Sequence, residues 1–183
     1  MKKQDARVLN TVLVGALAAM VYVVTLFRFP LLGSKVHFAN AVCLLAGMLL
    51  GPNLGGVAAG LGSALYDLTM YNEGMVNLLI TFVSKFAMAW VCGMLLPRRE
   101  EVKLPRLITA AVAGSLTYVA LYMLKTFIFQ RFVYGYPPDQ VWITMLGKLG
   151  PSLLNALAAV IAAPIFYHAV TPALRRMGVL EKL

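Results

Sequence analysis

Four ionisable side chains stand where an apolar chain has least use for them: Asp67, Lys85, Lys125 and Lys148 each fall inside a long hydrophobic run. A charge at the centre of a bilayer costs about 2.5 to 3.5 kcal/mol on insertion scales, so an intramembrane ionisable residue is functional by default. At about 1.5 Å rise per residue, Lys125 and Lys148 lie roughly 7 Å inside one boundary of the apolar layer, Asp67 is comparably shallow, and Lys85 is near the midplane. Shallow lysines can also snorkel to headgroups, but the spacing of their neighbours favours a shared site. Asn77, Thr81, Ser84 or Lys85, and Met88 recur every three or four residues. So do Ser115, Tyr118, Tyr122, Lys125 and Phe129, and again Thr144, Lys148, Ser152, Asn155 and Ala159. That period is one face of a helix. Three successive segments thus carry a polar stripe with one lysine each, and such stripes satisfy one another only around a common cavity.

Three lysines against one aspartate make the expected cavity electropositive, suited to a ligand with a carboxylate or phosphate. Asp67 either faces that cavity or pairs with one lysine as a structural bridge, which leaves two positive charges. Pro151, between Gly147 and Gly150, is expected to loosen the helix beside Lys148 and bare backbone carbonyls, because proline removes a helical hydrogen bond. His37 and Asn40 begin another apolar run three residues apart and join the candidates, although a lone histidine there is more often interfacial. The expected substrate-binding set is Lys85, Lys125, Lys148, Asn77, Tyr122, Asn155, Asp67, His37 and Asn40.

Catalytic chemistry is not written in the chain. It has no Gly-x-x-x-x-Gly-Lys-Ser/Thr phosphate cradle, no His-Glu-x-x-His zinc helix, no Gly-x-Ser-Gly nucleophile and no aspartate-rich diphosphate motif. Cys43 and Cys92 lack metal or redox spacing and read as core residues. Ser63 reads as packing. The expectation is therefore a protein with no catalytic residues, no metal and no cofactor, and not an enzyme; an integral membrane enzyme and a stand-alone small-molecule carrier are the alternatives.

The elements that must position these residues follow from composition. The chain has 183 residues, 61% hydrophobic and 13% charged, where soluble domains carry about 25% charged residues. Its mean hydropathy of +0.80 marks an all-α integral membrane protein. The length suits a single transmembrane domain of six helices, at about residues 8–27, 36–50, 54–70, 75–96, 107–129 and 142–170, since each span needs about 20 residues. Runs two and three are short and glycine-rich, and are full spans, a re-entrant pair or one broken helix. The first run follows Lys2, Lys3 and Arg7 as a signal peptide would, but it outlasts a signal core of about 7 to 15 residues and reads as a retained helix.

A net charge of +9 invites a nucleic-acid reading, yet the basic residues sit in the short polar segments, where topology explains them. Lys2, Lys3 and Arg7, then Arg98, Arg99, Lys103 and Arg106, then Arg175, Arg176 and Lys182 share one side if there are six spans. Only Arg28, Lys35 and Arg131 oppose them, so both termini are expected in the cytoplasm. On the outer side the connection Gln130 to Val141, QRFVYGYPPDQV, is expected either to anchor at the interface or to close over a ligand. In the first run Gly15, Ala16 and Ala19 form a small-residue surface that packs within the chain or docks a partner helix.

Together these features resemble the substrate-binding S component of energy-coupling factor vitamin transporters, across nearly the whole chain. The most specific part runs from Asn40 to Asp67: Ala46-Gly47, Leu50-Gly51-Pro52, Gly55-Gly56 and Gly60-x-Gly62-Ser63-Ala64-x-x-Asp67 look like the second and third helices of that family. The resemblance implies a multi-pass protein of a prokaryotic cell membrane that captures a vitamin or precursor at its outer face. It also implies partners, a transmembrane coupling subunit and two ATP-hydrolysing subunits, with Gly15-x-x-x-Ala19 in place of an Ala-x-x-x-Ala docking motif. Family members serve riboflavin, folate, pantothenate or a hydroxymethylpyrimidine precursor. The lysine excess favours an anion, pantothenate or a folate.

Overall fold

The computed structural model describes residues 3–31, 34–70, 74–97 and 102–179, with backbone alone for 3–6, 28–31 and 34–37. Helix α1 (Lys3–Leu26) leads through two short strands, β1 (Arg28–Leu31) and β2 (Ser34–His37), to α2 (Ala39–Met70). Then come α3 (Met75–Met94), α4 (Leu104–Ile128), a single π-helical turn (Phe129–Val133) and α5 (Pro138–Arg176). Five helices are long and apolar enough to cross a membrane. The strands are antiparallel, with Arg28 opposite His37 and Leu31 opposite Ser34. This ribbon corrects the expected start of the second span at about residue 36, because Val36 and His37 belong to β2 and the helix starts at Ala39.

Helix α2 is two helices in one. At Gly51 the backbone leaves helical geometry, with φ 76° and ψ −175°, a conformation that costs glycine little and other residues much. Pro52 then begins a new helix, where its missing N–H is no loss. The two limbs fold back on each other: Cys43 Sγ lies 3.9 Å from Ser63 Oγ, whereas twenty residues of straight helix would hold them about 30 Å apart. Gly93 at the end of α3 lets the turn approach closely, since a Cβ there would stand 2.7 Å from Gly51 C and Pro52 N. Trp90 Nε1 donates to Asn53 Oδ1 at 3.2 Å on the same turn.

The first limb, 39–50, is about 18 Å long at about 1.5 Å per residue, well short of about 30 Å of hydrocarbon. Asn40, its second residue, is level with Lys85 in the middle of α3, because the two side chains are hydrogen-bonded. The limb therefore fills one half of the bundle's length only. In that half Leu44, Met88, Cys92, Leu107 and Ala163 form the core, and both cysteines are buried with free thiols. Much of the outer helix surface is apolar and exposed, as at Ile143, Leu146 and Leu157, which suits a lipid solvent better than water.

Helix α5 is longer than expected and starts at Pro138 rather than Trp142. Proline in the first turn of a helix sacrifices no hydrogen bond. With the π-helical turn on its other side, the expected connection Gln130 to Val141 shrinks to residues 134–137. Pro151 does not interrupt α5; instead Ser152 Oγ donates to the Lys148 carbonyl at 2.7 Å, an oxygen that an unbroken backbone would bond through residue 152 alone.

Candidate functional site

Where the first limb of α2 begins, a cavity of about 660 Å³ opens. Ala39 floors it. Thr25 comes from the end of α1, and Ser63, Tyr66 and Asp67 from the second limb of α2. Asn77, Thr81 and Lys85 come from the first half and middle of α3, Tyr118, Tyr122, Lys125 and Thr126 from the second half of α4, and Lys148 from the start of α5. Helix directions thus put the cavity at the end of the bundle remote from the start of α1, from the Gly51-Pro52 turn and from the end of α5.

Six residues expected to bind substrate line this one space: Asp67, Asn77, Lys85, Tyr122, Lys125 and Lys148. Asn40 lies behind the wall, buried, and accepts a hydrogen bond from Lys85 Nζ through Oδ1. It is not at an outer helix start as its sequence position suggested. Asn155 does not reach the cavity. It is buried two turns further along α5, because α5 borders the cavity only near Lys148 and packs against the core below it. The same holds for Ser115 and Met88, whose stripes continue beneath the floor into the protein interior. His37 has its backbone in β2, and its side chain lies outside the described residues. Ser63, expected to be packing, lines the cavity as well as facing Cys43.

Lys85 is 5% exposed. Its ammonium is held on one side by Asn40 and on another by the ring of Tyr118, 3.8 Å from Nζ to the centroid. A cation over an aromatic face is attracted by the ring quadrupole, more so when desolvated. Tyr118 and Tyr122, one turn apart on α4, stack with centroids 6.2 Å apart and planes 16° from parallel. Lys148 Nζ lies 5.9 Å from the Tyr122 ring, and Lys125 Nζ 5.7 Å from that of Phe129. The result is a wall of flat rings edged by ammonium donors. Among the described lining residues Asp67 is the only acid.

Sequence periodicity missed the outermost part of the wall. The stripe Tyr118, Tyr122, Lys125, Phe129 continues at helical spacing to Phe132 and Val133, yet these are 73% and 61% exposed. Gln130 and Tyr134 line the cavity instead. The cause is the π-helical turn: Tyr134 N–H donates to the Phe129 carbonyl at 2.9 Å, five residues back, and the wider turn rotates the residues after it. No residue type in the segment announces this; the turn could have been found only from the mismatch between the stripe and a Gly135 turn.

On α1 the small residues Gly15, Ala16 and Ala19 are exposed, and a Cβ at Gly15 would meet nothing within 4 Å. Contacts within the chain use the opposite face, where Ala18 and Val21 pack against Gly62. Ala16 also borders an apolar groove of about 160 Å³ with Leu13, Leu17, Leu50 and Val170.

The fold is thus a helical membrane bundle with a ring-walled, polar-edged cavity at one end, and no group of three or more His, Cys, Asp or Glu among the described residues could hold a metal. The family model of the ECF-type riboflavin transporter S component matches residues 6–172, and the chain belongs to that family of transporter substrate-binding components. Among solved structures it is similar to one described as the S component of a bacterial ECF transporter, with TM-score 0.69 and 16% identity, covering 90% of this chain and 96% of that one. Comparison with curated protein sequences returns no match. S components of ECF transporters bind a vitamin and work with a coupling subunit and ATPases. The expectation of an anionic vitamin is not supported, since the family is riboflavin-type. Its weakness is physical: the Lys85 ammonium is already engaged by Asn40 and Tyr118, so counting lysines overstates the donors offered to a ligand.

Proposed function

We propose that this chain captures riboflavin, or a closely related flavin, at the outer face of a prokaryotic cell membrane and delivers it for ATP-driven uptake. A transmembrane coupling subunit and two ATP-hydrolysing subunits supply the energy. The observation that carries the reading is the stacked pair Tyr118 and Tyr122 inside a cavity of about 660 Å³, which falls within the roughly 300 to 1,000 Å³ of ordinary ligand sites. Flat apolar rings suit a planar tricyclic ligand, and the lysines and amides around them suit its carbonyl oxygens and hydroxylated side chain.

In this reading the whole chain is one transmembrane domain crossing the membrane six times, the limbs of α2 counting as two passes. Both termini are cytoplasmic, because Lys103, Arg106, Arg175 and Arg176 then lie at the inner face. The exposed Gly15, Ala16 and Ala19 surface docks the coupling subunit by close helix approach. Lys85, Lys125, Lys148, Asn77, Tyr122 and Asp67 contact the ligand, and Asn40 positions Lys85.

Riboflavin fluorescence tests this directly, since stacking on tyrosine quenches it. Titrating the detergent-purified chain into riboflavin is expected to give saturable quenching with submicromolar Kd. Absence of quenching, with no thermal stabilisation by riboflavin, overturns the assignment. Movement of riboflavin into liposomes by the chain alone would favour the stand-alone carrier instead.

A further inference from the structure

Across the cavity from the tyrosine rings stands a charge that the protein leaves unanswered. Ser63, Tyr66 and Asp67 line the cavity, and their spacing of three and four residues puts them on one face of the second limb of α2. Leu61, Leu65 and Leu68 fall on the opposite face and are exposed, so lipid lies on their side and the partly exposed Asp67 opens to the cavity. Among the described residues its carboxylate has neither a hydrogen bond nor an ion pair, although Lys125 and Lys148 line the same space. Helix order explains the separation. The second limb packs between α1 and α3, with Gly62 against Ala18 and Gly60 against Phe82, whereas α4 packs between α3 and α5. The acid is therefore on one side of the cavity, and the stacked rings with Lys125 and Lys148 are on the other. An ionised group at membrane depth is costly and marks a functional site.

We infer that Asp67 is a specificity-determining residue whose carboxylate accepts hydrogen bonds from the hydroxyl groups of the ligand's side chain. The inference rests on the flavin reading above, in which the tricyclic ring stacks on Tyr118 and Tyr122. A ring laid on that wall has the ammonium donors of Lys125 and Lys148 beside it for its carbonyl oxygens. Its polyhydroxylated chain leaves the middle ring out of the ring plane, so it departs from the uncovered face and crosses toward α2. Hydroxyl protons are what the chain brings there, and a carboxylate accepts several hydrogen bonds while donating none. Bonds to an ionised acceptor are roughly twice as strong as neutral ones. A site built to bond such hydroxyls rejects a flavin that lacks them, because its own acceptor is then left unpaired.

The test compares riboflavin with lumiflavin, which keeps the tricyclic ring but carries a methyl group in place of the hydroxylated chain, on wild-type chain and on Asp67→Leu and Asp67→Asn. Both flavins fluoresce, so quenching reads every pair. The wild type is expected to bind riboflavin at least tenfold more tightly than lumiflavin. Asp67→Leu is expected to lose roughly tenfold or more for riboflavin, the scale of a hydrogen bond to a charged group, and less than twofold for lumiflavin. Asp67→Asn, which keeps a neutral acceptor of the same size, is expected to fall between wild type and Asp67→Leu for riboflavin. Equal affinity of the wild type for both flavins, or a loss in Asp67→Leu that is absent or equal for the two, overturns the assignment while leaving the flavin reading intact. Failure of the wild type to bind either flavin overturns both. Melting temperatures of both variants no lower than a few degrees below wild type, as expected when an unpaired charge is removed, confirm that the comparison reads the site.

Discussion

Lys85 Nζ on α3 donates to Asn40 Oδ1 on α2, a bond between the middle of one helix and the beginning of another. It fixes where the first limb of α2 starts, and with it the floor of the cavity at Ala39. It also engages the Lys85 ammonium within the protein. Replacing Asn40 with alanine strands a buried ammonium, while replacing Lys85 with methionine removes the charge together with its need for a partner. Asn40→Ala is therefore expected to lower stability by about 1 to 3 kcal/mol, more than Lys85→Met does. Thermal unfolding in detergent ranks the two, and the reverse order would contradict the assigned role of Asn40.

Tyr118 and Tyr122 should be separable in their effects. Tyr118 lies under the Lys85 ammonium, whereas Tyr122 is one turn nearer Lys148. Tyr122→Ala is expected to weaken riboflavin by about tenfold, and Tyr122→Phe by less than threefold, on the scale of aromatic contacts. Fluorescence quenching reads both. A large loss in Tyr122→Phe would instead assign the hydroxyl the principal role.

Glycines in this chain divide by what surrounds them. A side chain at Gly93 meets the Gly51-Pro52 turn at 2.7 Å, while one at Gly147 or Gly150 meets nothing within 4 Å. Gly93→Val is expected to destabilise by about 1 to 3 kcal/mol through forced backbone movement. Gly150→Ala should be neutral or stabilise by up to about 1 kcal/mol, as expected where a helix gains a methyl group without a clash. Melting temperatures of the two variants, measured together, distinguish packing glycines from permissive ones.

The surface of α1 predicts a separation of function. Leucine at Gly15 or Ala19 changes an exposed face and should leave riboflavin affinity and melting temperature within error of wild type. Copurification with the coupling subunit should fall at least tenfold, because small residues permit the close helix approach that leucine prevents. Undiminished copurification would move the docking surface elsewhere.

Orientation is accessible to labelling, since Cys43 and Cys92 are buried and should be silent. Tyr136→Cys precedes α5 and Met177→Cys lies just beyond it; both positions are exposed. An impermeant maleimide applied to intact cells is expected to label the first and spare the second. Labelling of both from outside would contradict an inner C-terminus.

Much of the bundle was legible because lipid leaves few options. Apolar runs had to be helices, as backbone groups find no partners in hydrocarbon, and Asn77, Thr81 and Lys85 on one face of α3 could be read by spacing alone. The limits of that reading are specific. Asn155 obeys the same spacing as Lys148 but lies below the floor, since periodicity gives direction around a helix and says nothing about which neighbour meets it at each level. Asn40 looked interfacial because the depth at which α2 begins depends on the ribbon β1–β2, a pairing of segments no local pattern specified.

By itself the sequence determined that this is a membrane bundle, that its glycines cluster around Gly51-Pro52 between two short apolar runs, and that three helix faces carry a polar stripe with one lysine each. These come from local chemistry, from hydropathy, backbone freedom and the 3.6-residue period. The tertiary structure alone decided which polar residues meet: it paired Lys85 with Asn40 across 45 residues, and it let the half-length limb of α2 leave a cavity above it. It also turned Gln130 and Tyr134 inward through one π-helical turn. Depth and register are properties of how elements end against each other, and no single element contains them.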